Sequence, residues 1–173
     1  MLLSFLVLVL GLLINKSNNG FLYAFSVGGK LDLMDVGQWF RFFSHILGHA
    51  NFAHFFQNFM ILLLIGPMLE EKYGVKNLII YILITAFVTG ILQTIFFNSY
   101  LLGASGIVFM FIVLASMSNF KSGEIPLTFV LIIVIYIGNE IMLAASTHNS
   151  EISHYAHIMG GVCGTIFGFI NKK

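Results

Sequence analysis

Six apolar stretches, separated by short polar breaks, set the first limit on what this chain can fold into. They run from Leu2 to Ile14 and then over residues near 50–69, 77–97, 104–118, 125–145 and 154–170. About 20 apolar residues in a helix cross the ~30 Å hydrocarbon core of a bilayer, and a single soluble core does not need so many long runs. The breaks carry turn and solvent chemistry: Glu70-Glu71-Lys72-Tyr73-Gly74, Asn119-Phe120-Lys121-Ser122-Gly123 and Ser146-Thr147-His148-Asn149-Ser150. Composition agrees, since 58% of the residues are apolar and only 9% charged, far from the soluble average. The pattern predicts an all-α fold, a polytopic membrane bundle of six transmembrane helices forming one domain over residues 1–173, with no separate soluble domain.

The first stretch, Leu2 to Ile14, reaches only about 20 Å as a helix. No basic residue precedes it and no small-x-small site follows it, so it reads as a first span, tilted or continued upstream, and not as a signal peptide. Lysines set the orientation. With both termini in the cytoplasm, Lys72, Lys76, Lys121, Lys172 and Lys173 lie inside, whereas Lys16, Lys30 and Arg41 lie outside in one long loop over 15–44. That loop carries Phe21, Leu22, Tyr23, Phe25, Trp39, Phe40, Phe42 and Phe43. It is too apolar for a solvated connector and is expected either in the headgroup region or packed on the bundle. A net charge of +1, without a basic run, offers nothing to nucleic acid. The single cysteine, Cys163, lies in a glycine-containing apolar run and reads as a packing residue.

Polar groups inside spans are costly and mark functional candidates. His54 and Asn58 are four apart and share a helix face. Ser105 stands in Gly103-Ala104-Ser105-Gly106 at the start of the fourth stretch. There glycine permits close approach, and the free N–H groups of a helix start can face developing negative charge. Alone, such a string also suits an ordinary helix cap. In the sixth stretch Gly160, Gly161, Gly164 and Gly168 follow His157 on its own face. Small residues let membrane helices approach closely, so this histidine can reach a neighbouring helix, or the face is simply a packing surface. His54 and Asn58 are side-chain donors of the kind an acyl-transfer oxyanion needs, or interhelical hydrogen-bonding groups.

Taken together, HxxxN in the second stretch, GxSG opening the fourth and AHxxGxxxGxxxG in the sixth resemble the rhomboid intramembrane proteases. The likeness covers nearly the whole chain. It includes Arg41-Phe42-Phe43-Ser44-His45, the spacing His45, His49, His54 and Asn58, and the pair Ala156-His157. The resemblance implies a serine endopeptidase with Ser105 as nucleophile and His157 as base, and no third acidic member. His54, Asn58 and the Ser105 N–H would be the oxyanion donors, and Gly103, Gly106, Gly160, Gly164 and Gly168 structural glycines. It implies the lipid bilayer as setting, in a bacterial inner membrane, and transmembrane proteins as substrates, cut near the external end of a span. No cofactor is implied.

Two departures stand out: Trp39 and Arg41 are separated by Phe40, and Phe109 stands one turn after the serine where many members have tyrosine. Phe109 keeps a ring to stack on the histidine but has no hydroxyl. Residues Tyr100 to Ala104 are expected to dip inward as the floor of a wet cavity. Glu140, beside Asn139, has no assigned role beyond a guess at water access or gating.

Three rival readings are weaker. His45, His49 and His54 could ligate a metal, but position 46 is Ile and HExxH is absent, so no metal is expected. A non-catalytic helix-binding relative would be expected to lack the serine or the histidine. A transporter would show paired charges or interrupted helices in corresponding halves, and no internal repeat is visible.

Overall fold

A computed structural model describes residues 1–14, 20–117, 127–132, 134, 138, 142 and 151–171. Eight α-helices are described in order: α1 Leu2–Ile14, α2 Gly20–Tyr23, α3 Val36–Ser44, α4 Phe52–Tyr73, α5 Val75–Phe96, α6 Ser105–Ser116, α7 Leu127–Ile132 and α8 Glu151–Ile170. A 3-10 turn, His45–Leu47, follows α3. Among the described residues there is no strand, only an isolated antiparallel pairing of Val27 with Leu101. The expected all-helical class therefore holds.

Helices α4 and α5, 22 residues each, are long and apolar enough to cross a membrane. At 1.5 Å per residue each is about 33 Å long. Phe56, Met60, Leu63 and Leu64 on α4, and Ile79, Ile80, Leu83 and Ile84 on α5, are exposed. In water such a surface would be an aggregation hazard, whereas in lipid it is the solvated face. Helices α1 and α6 are apolar but shorter, at 13 and 12 residues.

Where a polar break is expected after residue 69, α4 continues through Glu70, Glu71 and Lys72 to Tyr73. Charged side chains do not interrupt a helix. Gly74, at φ +77°, ends it in the left-handed conformation glycine tolerates, and α5 begins at the next residue. The expected fifth stretch, 125–145, falls largely outside the described residues, as do the breaks at 119–123 and 146–150, Glu140, Lys16, Lys121, Lys172 and Lys173.

The chain divides into two compact units, Met1–Met60 with Ala86–Ala104, and Ile61–Thr85 with Ser105–Lys173. In the first, α1 buries Ser4, Val7, Leu8 and Gly11, one stripe at helical spacing. Phe5 on that helix meets the rings of Phe52 and Phe55. The expected loop is partly helical. Asp35 caps α3 by accepting from the Gly37 N–H at 2.8 Å, and its other oxygen pairs with Arg41 at 2.8 Å. The Arg41 guanidinium beside Asp35 holds that carboxyl below its usual range. Gln38 and Arg41 are buried on the same face as Phe42, while Trp39, Phe40 and Phe43 are exposed, as a segment at an apolar interface would arrange them. Gln38 accepts from the Asp32 N–H and donates to the Lys30 carbonyl.

The segment before α6 is tied by backbone. Val27 and Leu101 exchange N–H to C=O bonds of 2.8 and 2.7 Å, and the Gly103 N–H donates to the His45 carbonyl at 2.9 Å. In the second unit α6 packs against α8 and α7. Tyr81 of α5 stacks on Phe167 of α8 with centroids 4.2 Å apart.

Candidate active site

The pairing of α6 with α8 is made by glycine. A Cβ at Gly160 would run into the Gly106 carbonyl oxygen; one at Gly164 would meet the Met110 backbone and Val113; one at Gly168 would meet Met117. The contacts advance along both helices together, so the two run parallel with backbones in direct contact, as small residues allow. Cys163, between these glycines, is buried, in keeping with a packing role.

That register locates two of the candidates. Ser105 is the first residue of α6, beside Gly106. His157 lies one turn before Gly160, level with the first turn of α6. Its ring stacks on Phe109, four residues after Ser105, with centroids 4.3 Å apart and planes 7° from parallel. The phenyl ring thus keeps the stacking expected of an aromatic at that position. Side chains on a helix lean toward its N-terminus, which carries the Phe109 ring back toward the Ser105 end. Ala156, beside the histidine, is buried. His154 also faces His157, with centroids 6.4 Å apart. The side chain of Glu151 lies outside the described residues.

The first unit gathers the other candidates. His54 and Asn58 lie one turn apart on α4, and Asn58 is only 6% exposed. Gly103, two residues before Ser105 in the chain, lies against both. A Cβ there would stand 2.7 Å from the His54 ring and 3.9 Å from the Asn58 amide nitrogen. Its φ of +127° is open to glycine and strained for other residues. Gly103 is thus required twice, by its backbone and by its neighbours.

His45 and His49, weighed above as metal ligands, are both buried and face carbonyl oxygens: His45 that of Ala86 at 3.1 Å, His49 that of Leu47 at 3.2 Å. Burial pulls both imidazoles down to about 4, so both are neutral at physiological pH. His49 also reaches Asn58, Nε2 to Nδ2, at 3.1 Å. The motif spacing includes His49 but does not signal this link, because His49 precedes α4 and shares no helical period with Asn58. Among the described residues, no three His, Cys, Asp or Glu side chains form a group able to hold a metal ion.

Comparison with known proteins shows what the chain is similar to. The profile of the Rhomboid domain matches residues 36–173. Rhomboid protease GlpG of Haemophilus influenzae is 28% identical over 137 residues, covering 77% of this chain and 70% of that protein. Rhomboid-related protein 1 of Caenorhabditis elegans is 29% identical over 144 residues, 78% of this chain but 40% of the relative. The matched region takes in α3 through α8, and with them every candidate site residue. The chain belongs to the rhomboid family of membrane-embedded serine proteases.

Proposed function

We propose that this chain is a six-span, single-domain intramembrane endopeptidase that hydrolyses a peptide bond in or near a transmembrane segment of another membrane protein. Ser105 is the nucleophile and His157 its general base. The imidazole takes the hydroxyl proton as Ser105 attacks the scissile carbonyl, returns it to the leaving amine, and then activates the water that releases the acyl-enzyme. His54, Asn58 and the Ser105 N–H hold the tetrahedral oxyanion. Stacking on Phe109 orients the base.

The observation that carries this reading is the α6–α8 contact. Gly160 against Gly106 and His157 against Phe109 bring the candidate base to the helix end where Ser105 stands. Gly103, lying against His54 and Asn58, supports the oxyanion assignment. The parallel sense of α6 and α8 supports the six-span topology, since two parallel membrane-crossing neighbours need a return crossing between them. The lysine distribution supports cytoplasmic termini, and the inner membrane of a bacterium is the proposed location. Because α4 and α5 each contribute to both compact units, a single domain is the economical reading. The chemistry needs neither cofactor nor metal.

The test is cleavage of a single-span reporter by the purified protein in liposomes, with Ser105→Ala and His157→Ala beside it and a fluorophosphonate probe as second readout. Cleavage and probe labelling in the wild type, both lost in Ser105→Ala and indifferent to a chelator, are expected. A folded wild type that neither cleaves nor reacts would overturn the assignment in favour of a helix-binding role.

A further inference from the structure

The oxyanion assignment names Asn58 as a donor but leaves open what aims it. An asparagine amide presents oxygen and nitrogen with nearly the same shape, and a turn of 180° about its last bond exchanges donor for acceptor. A donor that can turn is a poor oxyanion ligand, because the strength of such a site lies in dipoles already oriented before charge develops.

His49 removes that freedom. It follows the 3-10 turn, is 0% exposed, and is enclosed by the rings of His54, Phe55 and Phe59 at centroid distances of 5.1, 5.5 and 5.7 Å. Its Nδ1 lies 3.2 Å from the Leu47 carbonyl oxygen, which can only accept, so Nδ1 carries the proton. In the neutral ring Nε2 then bears a lone pair. The group 3.1 Å from that lone pair is the Asn58 amide. Its NH₂ can donate there, whereas its oxygen would be repelled. One N–H is thereby committed to His49, and the second, on the same nitrogen, remains to meet an incoming oxygen.

Resting on the oxyanion reading given above, we propose that His49 is a positioning residue for the reaction: its Nε2 accepts from the Asn58 amide and fixes that amide as a donor toward the oxyanion. His49 does not touch the substrate and moves no proton. The backbone sets its tautomer through Leu47, and it passes that choice to Asn58. Its low basicity, caused by burial, serves the same end, since an imidazolium would donate from Nε2 and turn the amide around. Among the described contacts the only titratable group facing His49 is His54.

Two amides that differ in reach separate positioning from packing. His49→Gln carries its polar group to the place of Nε2 and can still accept from Asn58; His49→Asn stops at the place of Nδ1. With a single-span reporter, His49→Asn is expected to lower kcat about 10- to 100-fold with KM within about twofold, short of the roughly 10²- to 10³-fold for losing a donor outright. His49→Gln should stay within about threefold of wild type, and His49→Asn in an Asn58→Ala background should cost nothing further. Equal losses in the two His49 variants, or full additivity in the double variant, would overturn the positioning role while leaving the oxyanion site intact. An Asn58→Ala enzyme with wild-type kcat would instead overturn the oxyanion assignment itself. A readout on the unsubstituted ring guards against variants that do not fold: in protein with ¹⁵N-labelled histidine, His49 should show a protonated Nδ1 and a bare Nε2 whose resonance moves in Asn58→Ala. The opposite tautomer would refute the proposal.

Discussion

Within the unit formed by Met1–Met60 and Ala86–Ala104, the interior includes Gln38, Arg41, Ser44, His45, His49, Asn58, Gln93 and Thr94, and these side chains hydrogen-bond, mostly to backbone carbonyls. Around α6 and α8, α6 buries Ile107, Val108, Met110, Phe111, Val113 and Leu114, and Gly160, Gly164 and Gly168 of α8 lie against Gly106, Met110 with Val113, and Met117. Hydrogen bonds constrain direction, whereas glycine against backbone constrains distance. The proposed oxyanion side chains, which have to point, come from the polar region. The proposed nucleophile and base, which have to stand close, come from the glycine-packed one.

The largest effect that would sharpen this contrast lies in the chemistry. Ser105→Ala and His157→Ala should each lower kcat by at least about 10⁴-fold, since members of a nucleophile–base unit fail nearly together. Thermal unfolding in detergent should show both variants still folded. His54→Ala should cost about 10²- to 10³-fold in kcat, a loss confined to the polar region and measurable with the same reporter.

A stability effect comes next, and it belongs to the polar region alone. His45, fully buried and held down to about 4 by burial, returns to about 6.5 when exposed. Its folded value is depressed, so between those limits the unfolded state binds more protons, and stability falls as pH drops from about 6.5 toward 4. The full change is on the order of 3 kcal/mol. Denaturation midpoints measured across that window should slope accordingly, and His45→Gln should flatten the slope.

Smallest is Gly160→Ala, in which one added methyl meets the Gly106 backbone and should destabilise by about 1–3 kcal/mol. Its loss should show no such pH slope. A pH-dependent loss there, or a pH-independent one at His45, would break the comparison.

The two regions also differ in how far they can be read from residues alone. Glycines at 160, 164 and 168 repeat at helical spacing after His157, so the packing face is visible as a pattern, and α6 begins at the serine where the string suggested. Residues 15–44 read as one long apolar loop, and the helix Val36–Ser44 within it is not delimited by the sequence pattern. Asp35 is an N-cap signal, but nine residues hold too few turns for periodicity to assert itself against the surrounding aromatics. The helix past Glu70 was missed for the opposite reason: charge marks where a segment leaves the apolar phase, not where hydrogen bonding stops. His49 shows the limit most clearly. Its partner is set by a 3-10 turn and a burial geometry, so no spacing rule reports it.

The α6–α8 pairing also has a meaning in time. The proposed base follows the proposed nucleophile by about fifty residues in the chain, and ribosomes add roughly 5–20 residues per second. A newly made chain therefore holds its serine for several seconds before His157 has been made. On the proposed dyad, the arrival of α8 is what arms the protease, and the membrane machinery that inserts the chain handles an unarmed enzyme until its helices are in place.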